Sequence, residues 1–272
     1  MTMKSHSNAL RADSVGGVLL LVLSAHLFGA AQSAAPVVAP STASGAFKVS
    51  LQGWTGELEF VPFTAADGST KFVSTIEIPW DLFDVFVFAL DDKFATDASK
   101  AVTKPTKPYV AADRGFGHKG FPAISLSHKA ATQCAAWIAA KASIDARLPT
   151  DAEWKLICAQ AKIPADAIEE FAWTNENSPD TTHKCGKKKA DALGCFDLYG
   201  NAGEWVNDAK NPRMMGGSFQ DARTAVGCAS ELTPSEDWNS SDPQFPKSIW
   251  WLADGPFCGF RVVSDSVPVK GT

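Results

Sequence analysis

Across 272 residues the chain carries 25 basic and 30 acidic side chains, a formal charge of −5 with the histidines neutral, and 45% of its residues are apolar. That length admits one large or two small domains with a substantial buried core. The acidic balance argues against a nucleic-acid partner, and the one basic cluster, Lys184, Lys187, Lys188 and Lys189, reads as a solvated loop.

The first 33 residues have the layout of a secretory signal. Lys4 and Arg11 precede an apolar run from Val18 to Phe28, and the small residues Gly29, Ala30, Ala31, Ser33 and Ala34 follow, placing cleavage near Ala31 to Ala34. The run is short for a membrane anchor, and no cysteine stands near it to take a lipid. The mature chain is therefore expected to be exported, secreted or periplasmic, with no membrane span; losing Lys4, Arg11 and Asp13 moves its formal charge from −5 to −6. Residues 34–46, rich in Ala, Pro, Ser and Val, read as a linker, residues 47–268 as one folded domain, and 269–272 as a tail.

Within the domain, Lys48–Pro62 and Lys71–Ile78 alternate as strands do, and Trp80–Leu90 is strongly apolar behind Pro79. Pro105, Pro108 and Gly115 make Lys104–Gly120 a long irregular loop. From Ser127 the pattern turns helical, with Ala131, Cys134, Ala135 and Ile138 on one buried stripe. Thr150 and Glu153 form a capping box that starts a helix reaching about Ala161, and Trp154 and Cys158, four apart, share its inner face. Beyond it Trp173–Leu198 is polar, with few strands. No internal repeat is present.

All six cysteines, Cys134, Cys158, Cys185, Cys195, Cys228 and Cys258, lie in the mature part, and an even count in an exported chain points to disulfides while leaving the pairing open. None of the spacings is Cys-x-x-Cys, so zinc and thioredoxin-type chemistry are poorly supported. His-Glu-x-x-His, Gly-x-Ser-x-Gly and phosphate-cradling glycine loops are absent from the sequence. His118, between Gly117 and Lys119 in a glycine-rich loop, reads as a solvent histidine. Trp250 and Trp251 could stack on a sugar, although most of the nine tryptophans are needed for core and rim.

Four motifs occur in one order: Arg147-Leu148-Pro149-Thr150-Asp151-Ala152-Glu153-Trp154, Gly200-Asn201-Ala202-Gly203-Glu204-Trp205, Met215-Gly216-Gly217-Ser218 and Gly259-Phe260-Arg261. Together, over roughly Pro122 to Val263, they resemble the formylglycine-generating enzyme, or sulfatase-modifying factor, family. The resemblance implies an α+β fold related to C-type lectins, rich in loops and poor in regular secondary structure. In that family the turn matching Gly200–Trp205 binds calcium, which would give Glu204 as carboxylate ligand, Asn201 as a further side-chain oxygen, and carbonyls from Tyr199, Gly200 and Ala202. The family's usual Trp is here Gly203.

The active family members place two cysteines after the Gly-Gly-Ser segment, and their thiolates hold Cu(I). Here those positions are Asp221 and Val226, a hard oxygen and no ligand at all, so copper is not expected. Arg223 matches an arginine of the motif, and the groove candidates are Asp221, Arg223 and Cys228. The resemblance further implies Cys158–Cys228 and Cys134–Cys258 disulfides, and leaves Cys185 and Cys195 to each other. The expected function is a binding module for a protein, peptide or glycan in the family groove, without formylglycine generation. The alternative is a divergent oxidase acting on an exported protein through an altered metal site, so the sequence leaves open whether the protein is an enzyme.

Overall fold

The computed structural model describes residues 45–109, 111–208 and 210–268; the expected leader, nearly all of the linker and the 269–272 tail lie outside the described residues. Two sheets and two long helices frame a loop-rich body. The first sheet holds β1 (Phe47–Val49), β2 (Leu58–Thr64), β3 (Thr70–Ser74), β4 (Ala146–Arg147) and β9 (Val263–Ser264), in the order β1-β2-β3-β9-β4 with antiparallel neighbours. The C-terminal β9 thus lies between β3 and β4, pairing Val263 with Val73 on one side and Arg147 on the other. The second sheet, in the order β7-β6-β5-β8, holds β5 (Gly203–Trp205), β6 (Met214–Gly216), β7 (Gly227–Leu232) and β8 (Cys258–Gly259). Its β5–β8 pair is parallel and the others antiparallel.

Helix α1 (Trp80–Phe88) follows Pro79 and ends where Ala89 enters the left-handed region and donates its N–H to Val85 O. Leu82, Phe83, Val85, Phe86 and Val87 are all buried, so α1 is enclosed on most of its faces. The short α2 (Asp97–Ala101) precedes α3 (His128–Ala142), with irregular stretches at 102–109 and 111–127 between them. Ser127 caps α3 by accepting from Ala130 N, and the expected stripe, Ala131, Cys134, Ala135 and Ile138, is buried. Trp137 of α3 packs against Phe86 of α1 with ring centres 5.7 Å apart, within one apolar cluster that also holds Phe83 and Phe260.

Helix α4 (Asp151–Ala161) carries the capping box that the sequence encodes, and the short α5 (Ile168–Phe171) follows. Glu153 does more than cap. It takes two bonds from Arg147, at 2.6 and 2.7 Å, and one from Lys71 Nζ at 2.9 Å, which fastens α4 to β3 and β4. Burial opposes ionisation there, but Arg147 and Lys71 prevail and hold Glu153 well below its ordinary range. The inner face of α4, with Trp154, Ile157 and Cys158, packs in a second apolar cluster with Val73, Met215 and Val263.

Cys158 of α4 is disulfide-bonded to Cys228 of β7, as expected. The other two expected pairings are not formed. Cys134 and Cys258 are separate buried thiols, and Cys185 and Cys195 are likewise free. Cys185 Sγ turns to Glu77 Oε2 at 3.3 Å, whereas Cys195 is buried in the second apolar cluster, its N–H held by Asp191 Oδ1 at 2.9 Å.

Candidate functional site

The turn leading into β5 gathers the residues expected to bind calcium, but its two expected side-chain ligands, Glu204 and Asn201, each have protein partners. Glu204 is buried; its Oε2 accepts from Trp154 Nε1 at 2.7 Å and its Oε1 from Arg261 Nε at 2.6 Å. Arg261, also fully buried, donates its remaining nitrogens to Ser74 O at 3.1 Å and Phe196 O at 2.8 Å. Asn201 accepts from His183 N at 2.9 Å and donates to Glu77 Oε2 at 2.8 Å, while the Ala202 N–H goes to Glu77 Oε1 at 2.9 Å. The motif therefore wraps a second carboxylate, Glu77, that the sequence reading did not single out.

Burial, then the charges of Asp197 and Glu204, push Glu77 well above the ordinary carboxylate range. Burial raises Glu204 as well, against the pull of Arg261. Asp197 is pushed up to about 6 by burial, against a 2.7 Å bond from Gly186 N to its Oδ2. Its Oδ1 is buried without a hydrogen-bond partner. Three buried carboxylates, Glu77, Asp197 and Glu204, thus face the one buried guanidinium of Arg261, and negative charge is in excess. This cluster was missed in the sequence because its members come from residues as far apart as 77 and 261.

The segment after β6 adjoins this turn, with Phe219 N donating to Asn201 O at 2.9 Å. Gly216 has φ +89 at a register shift in the β6–β7 pairing, and a Cβ there would lie 2.6 Å from Leu198 O. Glycine is therefore required. Asp221 folds back on the same turn, its Oδ2 accepting from Ser218 N at 2.8 Å and from Ser218 Oγ at 3.0 Å. Around them lies a cavity of about 310 Å³ whose walls include Gly217, Ser218, Asp221, Ala225, Ser230 and Phe257. Gly203 also lines it; a Cβ at that position would collide with the Met214 methyl, so Met214 fills space next to the missing tryptophan.

The other groove candidates do not converge on this cavity. Arg223 forms an exposed ion pair with Glu169 at 2.5 Å, the structural role of a surface arginine. Val226 is buried beside Gly217. Cys228 is consumed by Cys158, and the Tyr199 hydroxyl, the only possible proton donor, lies 3.2 Å from both sulfurs. Tyr199 is thus a support for the disulfide. A Cu(I) ion requires converging thiolates, and Asp221, Val226 and an oxidised Cys228 do not fit it.

A loop-rich α+β body with Arg-Leu-Pro-Thr, Gly-Asn-Ala-Gly-Glu-Trp and Gly-Phe-Arg elements defines a class: proteins with the formylglycine-generating-enzyme fold. The family model described as "Sulfatase-modifying factor enzyme 1-like domain" matches residues 83–266, and the chain belongs to this family. Among solved structures the fold is similar to Treponema denticola variable protein 1, with a TM-score of 0.57 at 14% identity, covering 82% of this chain and 99% of that one. It is also similar to PvdO from Pseudomonas aeruginosa, with a TM-score of 0.51 at 17% identity, covering 82% and 92%. No curated protein matches the chain.

Proposed function

We propose that this protein is an exported, non-generating member of its family that binds an extended peptide segment of a partner protein at the Ser218–Asp221 cavity. The observation that carries the reading is the state of Cys228: it is bonded to Cys158, so the groove offers no thiolate for copper or for direct oxidation. Peptide is favoured over glycan at this cavity because β7 is the end strand of its sheet and lends Ala229, Ser230, Glu231 and Leu232 to the walls. An edge strand beside a pocket is the geometry for strand addition, in which main-chain bonds give affinity and alternate side chains enter the pocket. Export is supported by the leader-like N-terminus and by the disulfide, since disulfides persist in oxidising compartments. No helix among the described residues is long and apolar enough to cross a membrane.

A calcium ion at the 197–204 turn belongs to the same proposal. The excess of buried carboxylates over Arg261 and the unpartnered Asp197 Oδ1 support it. Asp197, which the sequence reading passed over, would hold the ion with carbonyls of the turn, and Glu204 would be shared with Arg261. The ion's contribution would be charge neutralisation and rigidity of the loop beneath the groove.

Panning a phage-displayed random-peptide library on the whole protein tests the binding role. Recovered peptides should lose binding when Ala229→Arg fills the cavity from its exposed wall. Enrichment that Ala229→Arg leaves intact would remove the cavity from consideration, and turnover of a cysteine peptide to an aldehyde would favour the divergent oxidase instead.

A further inference from the structure

The Ser218 cavity is unevenly charged. Its walls carry two carboxylates, Asp221 and Glu231, and no lysine, arginine or histidine among the described residues. Glu231 is already matched, its Oε1 accepting from Arg213 at 2.8 Å and its Oε2 lying 3.8 Å from Lys155 Nζ. Asp221 is not. Both lone pairs of its Oδ2 are taken by Ser218, through the backbone N–H at 2.8 Å and the hydroxyl at 3.0 Å. Its Oδ1 has no donor among the described residues and is not sealed inside the protein. Arg223, two residues on, is paired with Glu169 instead.

Carboxylates beside the other cavities are satisfied internally. Asp84 and Asp113 border a pocket next to α1, and the ring of His118 joins them, Nε2 at 2.7 Å from Asp84 Oδ2 and Nδ1 at 3.0 Å from Asp113 Oδ2. Carboxylates only accept, so that ring is held as imidazolium and the cluster calls for no ligand. Asp242, in the wall of a cavity of about 470 Å³, accepts from Gln244 N at 2.9 Å through one oxygen and from Ser248 N at 2.8 Å through the other. Among these five carboxylates Asp221 alone has neither a cationic partner nor donors on both oxygens.

The shape of the cavity sets what fits beside it. At about 310 Å³ it is at the small end of ligand sites, room for a single side chain. Met215, Ala225, Leu232 and Phe257 make much of the wall apolar, a surface along which an alkyl stem lies while its charged head reaches a polar group. A guanidinium binds best as a fork on both oxygens of a carboxylate, and Ser218 already occupies Oδ2. An ammonium needs only single acceptors, and Asp221 Oδ1 and the Ser230 hydroxyl in the same wall supply them.

From this arrangement we propose that the cavity is a lysine pocket: the peptide segment added along β7 places one lysine side chain in it, and Asp221 selects the charge. This rests on the peptide-binding reading above and adds which side chain enters. Glutamate is rejected by the like charge of Asp221, and acetylation of the lysine removes the charge that Asp221 recognises.

The test titrates the whole protein, by fluorescence polarisation, with dye-labelled, end-blocked peptides of alternating threonine and valine whose central residue is lysine, arginine, norleucine, acetyl-lysine or glutamate. Norleucine matches the lysine stem without its charge, so it reports on the groove alone. Lysine should bind about tenfold more tightly than norleucine, the size of a hydrogen bond to a charged group, with arginine between them and glutamate weakest. The lysine advantage should shrink as salt is raised, whereas norleucine binding should not. Asp221→Asn should bring lysine down to the norleucine level and leave norleucine unchanged, a readout that general loss of structure does not give. Ala229→Arg should abolish both. If norleucine binds as tightly as lysine in wild type while Ala229→Arg abolishes both, the groove stands and the lysine assignment falls. A lysine advantage that survives Asp221→Asn or is indifferent to salt overturns the assignment as well. If no peptide binds at millimolar concentration, or if Ala229→Arg changes nothing, the peptide reading falls and the lysine pocket with it.

Discussion

Arg261 donates through Nε to Glu204 Oε1 at 2.6 Å with both residues almost wholly inaccessible, so the last motif of the chain neutralises the carboxylate of the second. Burial lowers the tendency of Arg261 to stay charged, but Glu204, Cys195 and Glu77 more than reverse this. A buried ion pair contributes little over a hydrophobic replacement, yet losing one partner is costly because the other remains charged and unsolvated. Arg261→Ala should therefore destabilise the protein by about 3–5 kcal/mol in urea denaturation. A loss below about 1 kcal/mol would mean that Glu204 and Glu77 take up protons at little cost.

The same excess of carboxylates sets a pH dependence. Asp197 and Asp191 are both pushed up to about 6 from an ordinary 3.8, in each case mainly by burial. A carboxylic acid whose folded-state pKa is raised binds its proton more tightly when folded, so its contribution is fully present below about 4 and is lost as pH rises through about 6. Glu153, held low by Arg147 and Lys71, acts in the opposite sense and loses its contribution as pH falls below its unfolded value. Metal-free protein should thus be most stable near pH 4 to 5, and Asp197→Asn should flatten the decline toward pH 6. A stability that rises steadily across that window in wild type would contradict the assignment.

Calcium should raise the melting temperature relative to chelator, most visibly near neutral pH where Asp197 is ionised. A ligand bound only by the native state adds about 2.7 kcal/mol at a hundredfold excess over Kd. Asp197→Asn should remove most of the increment. If wild type and variant respond equally, the ion is bound elsewhere or not at all.

Non-reducing peptide mapping should find one linkage, Cys158 to Cys228, with the buried thiols Cys134, Cys195 and Cys258 reactive only after denaturation and the partly exposed Cys185 free to react in the folded protein. Cys158→Ser with Cys228→Ser should cost about 2–4 kcal/mol, given the 70-residue separation that the bridge closes. Recovery of a Cys134–Cys258 or Cys185–Cys195 peptide would instead restore the pairing expected from the family.

Supplied with copper, reductant and a sulfatase-type cysteine peptide, the protein should leave the thiol unchanged by mass spectrometry. Soft Cu(I) finds Asp221 and buried Val226 where thiolates are required. Aldehyde formation abolished by Cys228→Ser would show that the disulfide opens and the groove is catalytic.

Local interactions made α3 and α4 readable in the sequence: Ser127 and Thr150 cap helices through amides three residues on, and the Cys134 and Cys158 faces follow helical spacing. The motif order carried the family and the fold, because those residues recur in one sequence order along the chain. Tertiary structure alone decided what the motifs touch. Glu204 meets Arg261 across 57 residues and Asn201 meets Glu77 across 124, distances at which no spacing rule operates. Cys185 is next to Glu77 and not joined to Cys195 for the same reason, and His118 gains its two carboxylates only because α1 and the 113–118 loop close on each other. Charge pairing, thiol state and cavity walls depend on which distant segments share a volume, and that is fixed by packing of the whole chain.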